Sequence, residues 1–139
     1  MNPTPSAATP GRSLPQNALV IDDDPLMQEM IADLLRDAGV TRVSHAGDGA
    51  VGLGMLDRAL TDLVVCDLNM PGCDGFQFME KLATRGYAGR VLLVSGMNAR
   101  TLHSAELMAR FHRLNIIGSL SKPLDRGALR AALASNRGT

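Results

Sequence analysis

Tryptophan is absent from the 139-residue sequence, and one tyrosine and three phenylalanines are its whole aromatic complement, so the interior has to be built from aliphatic side chains. Cysteine is scarce too. Cys66 and Cys73 are the only two, their spacing matches no zinc or redox motif, and they read as free thiols in a reducing cytosol. No run of about 18 apolar residues occurs, and the N-terminus lacks a basic region followed by an apolar stretch, so neither a membrane span nor a secretory signal is supported. The expected location is cytoplasmic, with no membrane partner. An excess of one charge is also missing. Fourteen basic and fourteen acidic residues cancel, which removes the broad basic footprint of a nucleic-acid binder.

Within the charged set the scarcities are more telling. There are three glutamates against eleven aspartates, and Lys81 and Lys122 are the only lysines in an arginine-rich basic set. Aspartate is a poor helix former, a good cap and a compact ligand for hard cations, so the excess points to caps and to a site. The apolar share of 45 % and charged share of 20 % are those of a globular chain, and the length suits one domain. Residues 1–17 hold four of the seven prolines without an apolar period and read as a flexible leader. The domain is expected over 18–135, with 136–139 a tail.

From Ala18 onward, short apolar runs alternate with amphipathic stretches. Ala18–Ile21, Leu63–Cys66 and Val91–Val94 are continuous apolar runs, as expected of strands buried on both faces, while Arg42–Ala46 and Ile116–Ser121 are weaker strands. Asp24 followed by Pro25 caps a helix over 25–38 that Gly39 stops. Further helices are expected over 48–60, with two costly interior glycines, over 76–85 and 99–114, and from an Asp125 cap through Ala134. Met70–Gly75 reads as a loop. Strands alternating with helices five times over imply a mostly parallel sheet covered on both faces, with its site beyond the C-terminal strand ends.

Asp22-Asp23, Asp67, Ser95 and Lys122 terminate the first, third, fourth and fifth strands, so a parallel sheet brings them to one edge. Three clustered carboxylates repel unless a cation neutralises them, and a compact oxygen-only cluster suits Mg²⁺. A lysine and a hydroxyl beside such a metal complete the equipment for stabilising a transferring phosphoryl group.

These motifs, Asp22-Asp23, then Asp67-Leu68-Asn69-Met70-Pro71-Gly72-Cys73-Asp74-Gly75, then Ser95, then Ser121-Lys122-Pro123, resemble the receiver domain of two-component response regulators over residues 18 to about 135. The resemblance implies an α/β, flavodoxin-like (βα)5 fold with a five-stranded parallel sheet of order 2-1-3-4-5. It makes Asp67 the phosphoacceptor for a sensor histidine kinase or phosphotransfer protein. Asp23, Asp67 and the backbone carbonyl of Asn69 would bind Mg²⁺, and Asp22 would act through a water. Lys122 would pair with the carboxylate and then with a phosphoryl oxygen, Ser95 would hydrogen-bond another, and Pro123 would follow a cis peptide. Such a chain catalyses only its own phosphorylation and dephosphorylation, and is not an enzyme toward an external substrate.

Departures from the family pattern accompany the match. Ser95 stands where threonine is commoner, Gly96 where alanine is usual, and Ser119 where a tyrosine or phenylalanine commonly serves as a switch. The stretch from Ser95 to Lys122 is also long, with the surplus in Asn98–Asn115, so an extended fourth helix or an added turn is expected. Together with Leu114–Pro123 this stretch is similar to receivers fused to cyclic-di-GMP phosphodiesterase domains, which makes such an output domain, or a second copy of the chain, an expected partner. The competing reading is a phosphorylation-independent interaction module on the same fold. A calcium loop starting at Asp67 is excluded by Phe78 at its twelfth position. A phosphatase with an aspartate nucleophile is disfavoured because Asp67-Leu68-Asn69 lacks the second acid.

Overall fold

A computed structural model describes residues 14–56, 60–70, 73–96, 103, 106–108, 110 and 112–134. Five parallel strands, β1 (Asn17–Ile21), β2 (Arg42–Ala46), β3 (Leu63–Asp67), β4 (Arg90–Ser95) and β5 (Asn115–Ser121), form one sheet in the order β2-β1-β3-β4-β5. This is the flavodoxin-like order implied by the resemblance. The three apolar runs occupy its centre, and β3 is buried at every residue. Alternate residues of each central strand point to opposite faces. Leu19, Ile21, Val64, Cys66, Val91 and Leu93 meet Leu53, Phe78, Met79 and Leu82 on one face. On the other, Ala18, Val20, Leu63, Val65, Leu92 and Val94 meet Ile31, Leu35, Leu129 and Leu133.

The helices are set by their caps. Asp24 Oδ1 accepts from Leu26 N at 3.0 Å ahead of α1 (Pro25–Asp37), and Gly39, at φ +110°, ends that helix in a conformation that glycine adopts without strain. Asp48 Oδ1 accepts from Val51 N at 2.8 Å to start α2 (Gly49–Leu56), and α3 (Gly75–Thr84) follows β3. Asp125 Oδ2 accepts from Ala128 N at 2.8 Å ahead of α4 (Arg126–Ala134). Helical residues also occur at 103, 106–108 and 110, before a turn in which Arg113 has φ +63°. Most of the expected 99–114 helix lies outside the described residues, as do 1–13 and the 136–139 tail.

Three expectations shift. The second helix is described as far as Leu56, residues 57–59 lie outside the described residues, and Leu60, expected as its last residue, is exposed and non-helical, just ahead of Asp62, whose N donates to Asn17 O at 2.9 Å. The loop expected over Met70–Gly75 contains a small antiparallel ribbon, Asn69–Met70 against Cys73–Asp74, and Gly75 already belongs to α3. The leader boundary of 1–17 moves toward the N-terminus, because Asn17 lies in β1. The Asp62 carboxylate also accepts from the backbone of Gln16, at 2.9 Å, and of Asn17, at 2.8 Å.

Candidate functional site

The C-terminal strand ends bring together side chains that lie far apart in sequence. Asp22 follows β1 and is wholly buried, Asp67 ends β3 and is 2 % exposed, and Asp23 lies beside them at the surface. One carboxylate oxygen from each lies within 4.8 Å of the other two. Lys122, just beyond β5, reaches into this group. Its Nζ is 3.2 Å from Asp67 Oδ2 and 3.4 Å from Asp22 Oδ2. The peptide between Lys122 and Pro123 is cis. Ser95, fully buried at the end of β4, accepts through its carbonyl from Lys122 N at 3.0 Å and pairs in register with Ser121. Asn69 opens the short ribbon two residues beyond Asp67.

The electrostatics follow from this crowding. Burial is the largest influence on the Asp22 carboxyl and pushes its pKa above the ordinary 3.8, with the Asp67 charge adding to it; the Asp24 N–H, 2.9 Å from Asp22 Oδ1, and Lys122 act in the opposite direction. For Lys122 burial works downward, yet the hydrogen bond and charge of Asp67, followed by those of Asp22, outweigh it and hold the ammonium above 10.5. One ammonium thus serves two buried carboxylates, with the exposed third, Asp23, beside them. Three converging carboxylates form a hard, all-oxygen donor set short of positive charge, which fits a small divalent cation.

This arrangement, an acidic triad and one lysine at the C-terminal edge of a 2-1-3-4-5 sheet, agrees with the family match. A profile described as "Response regulator receiver domain" matches residues 18–134. The chain belongs to the response regulator receiver domain family. Over 119 residues the receiver is 32 % identical to protein-glutamate methylesterase/protein-glutamine glutaminase 2 of Koribacter versatilis, which covers 85 % of this chain and 32 % of that protein. It is 33 % identical over 85 residues to the nitrate/nitrite response regulator protein NarL of Escherichia coli, covering 60 % of this chain and 39 % of NarL. It therefore spans about a third of the length of these curated relatives. Among solved structures, a response regulator from Colwellia psychrerythraea superimposes with a TM-score of 0.73 at 28 % identity, covering 87 % of this receiver and 94 % of that chain.

Two polar contacts near the site were not anticipated from the sequence. Gln28 of α1 is 8 % exposed, and its Nε2 donates to the carbonyls of Asp22, at 2.6 Å, and Ala46, at 3.3 Å. Its signal was available, as a lone amide on the buried face that Ile31, Ala32 and Leu35 define. Ser119, at the position where an aromatic is common, donates through Oγ to Glu106 Oε2 at 2.8 Å. No local pattern announces that pair.

Proposed function

We propose that this receiver accepts a phosphoryl group on Asp67 from the phosphohistidine of a sensor histidine kinase or phosphotransfer protein, and that the modification alters what the domain binds. The observation that carries the reading is the Lys122 ammonium 3.2 Å from a buried Asp67 carboxylate inside an acidic triad. An Asp67 oxygen attacks phosphorus in line, the new O–P bond forms as the N–P bond breaks, and the bonding pair returns to the imidazole nitrogen.

In this reading Asp23, Asp67 and the Asn69 backbone carbonyl would hold Mg²⁺, with Asp22 acting through a water, and the metal would supply positive charge to the phosphoryl oxygens. Lys122 exchanges its Asp67 contact for a phosphoryl oxygen, and the Ser95 hydroxyl donates to another. Asp22 keeps Lys122 aimed at the site throughout, through the 3.4 Å contact. The added charge at Asp67 then changes the β4–β5 surface, where Ser119 is tied to Glu106 instead of carrying an aromatic switch. An output domain such as a cyclic-di-GMP phosphodiesterase, or a second copy of the chain, is the partner proposed for that surface. The domain works in the cytoplasm and binds neither nucleic acid nor membrane; among the described residues no helix is long and apolar enough to cross a bilayer.

Beryllofluoride with Mg²⁺ tests the assignment. The wild-type protein should bind the pair and Asp67→Ala should not, as read by ¹⁹F NMR. Equal binding by both proteins removes Asp67 from the role, and the lack of any millimolar-range Mg²⁺ response favours the phosphorylation-independent interaction module.

A further inference from the structure

The acidic loop has no regular secondary structure of its own, since Asp22–Asp24 lie between the last residue of β1 and the first of α1. Its geometry is set by contacts from outside. Asp22 N donates to Ala46 O at 3.1 Å, which ties the loop to the end of β2, and Asp24 N donates to Asp22 Oδ1 at 2.9 Å. The remaining polar atom of the Asp22 backbone, its carbonyl, points into the space between the ends of β1 and β2. There the Gln28 amide donates to it at 2.6 Å and to Ala46 O at 3.3 Å. Gln28 is itself fixed, being buried and donating through its backbone N to Asp24 O at 2.9 Å. The peptide that Gln28 grips is the one joining Asp22 to Asp23, so rotating it would swing the Asp23 carboxylate relative to Asp22 and Asp67.

We infer that Gln28 is a positioning residue for the cation site, holding the Asp22–Asp23 peptide so that the two carboxylates converge with Asp67. The inference rests on the proposed Mg²⁺-dependent reading of the site. Groups that orient metal ligands change affinity by about tenfold or more when removed. Gln28→Met keeps the length and apolar stem of the side chain and deletes both donated hydrogen bonds.

Mg²⁺ affinity of the wild-type, Gln28→Met and Asp67→Asn proteins is to be measured by calorimetry well below the melting temperature of each, so that only folded protein is compared. Wild-type binding with about a tenfold weaker dissociation constant in Gln28→Met supports the inference. Wild-type binding with an unchanged constant in Gln28→Met, even alongside a lower melting temperature, makes Gln28 a packing residue and overturns it. An absence of Mg²⁺ binding by the wild-type protein overturns instead the site reading on which it rests, and Asp67→Asn shows how much binding is specific to the triad. If Gln28→Met does not fold, the wild-type protein still decides. The Gln28 Nε2 proton resonances should be protected from solvent exchange and shift on Mg²⁺ addition, and an unprotected, unresponsive amide refutes the role.

Discussion

Replacing Lys122 with methionine should expose how much one ammonium holds together. At 3.2 and 3.4 Å from the two carboxylate oxygens, and with an effective dielectric constant near 20, each attraction is about 5 kcal/mol. The repulsion between Asp22 and Asp67, across no more than 4.8 Å, is at least about 3.5 kcal/mol on the same scale. Lysine burial offsets part of this balance, and losing one partner of a buried ionic group destabilises by about 3–5 kcal/mol. In EDTA at pH 7, Lys122→Met should therefore unfold at a urea midpoint lower by roughly 2 M, taking a slope of about 2 kcal/mol per molar. Mg²⁺ should restore more stability to the variant than to the wild type, because the cation then enters a pocket without a competing positive charge. The folded Lys122 value lies above 10.5, so on the alkaline side its contribution is complete below 10.5 and is lost as pH rises through the higher folded value; the gap between the two proteins should stay level from neutral pH to 10.5, close above it, and narrow again in acid as the raised Asp22 carboxyl protonates. Equal midpoints in EDTA, or equal Mg²⁺ stabilisation of both proteins, would refute the reasoning.

Three further substitutions probe contacts elsewhere. Gly52→Ala places a Cβ in overlap with Cδ1 of the fully buried Ile21, so it should cost about 1–3 kcal/mol in chemical denaturation, although alanine in an open helix position would gain about 1 kcal/mol. Asp62→Ala removes the acceptor for the Gln16 and Asn17 amides. It should lower stability by about 1–3 kcal/mol and speed hydrogen exchange at those two amides, while Mg²⁺ affinity stays constant; unchanged exchange there would show that the clamp is dispensable. Ser119→Ala breaks the bond to Glu106 and should cost about 1 kcal/mol, with faster backbone exchange near residue 106 as the diagnostic readout.

The sheet and the carboxylates were legible in the sequence because both leave local marks. A two-sided strand is an unbroken apolar run, and its parallel neighbours force polar terminators such as Asp22, Asp67 and Lys122 onto one edge. The caps at Asp24 and Asp125 were legible for the same reason, since each acts within three residues of itself, whereas Asp48, expected as the first residue of its helix, caps it from outside. The contacts of Gln28, Asp62 and Ser119 were not read, because each is a single polar side chain whose partner is chosen by the tertiary fold. Asp62 acts across 45 residues to Asn17 and Ser119 across 13 to Glu106. The short ribbon after Asp67 was hidden by its Pro71-Gly72 punctuation, which signals a loop whether or not the flanking pairs bond. The interior glycines of α2 were read only as a propensity cost. In the structure Gly52 is where that helix lies against Ile21, so its missing side chain permits the close packing.

The contact between Lys122 and Asp22 spans 100 residues, nearly the whole folded part of the chain, and it bears on how the protein comes into being. Closing so long a loop comes after local structure has formed, and the β4–β5 pairing that delivers Lys122 needs residues up to Ser121. A chain still emerging from the ribosome carries all three carboxylates for some time before their counter-charge has been synthesised. During that interval Asp67 lacks the ammonium partner on which the proposed chemistry depends, so the site is complete only once the chain has been made through Lys122 and β5 has joined the sheet.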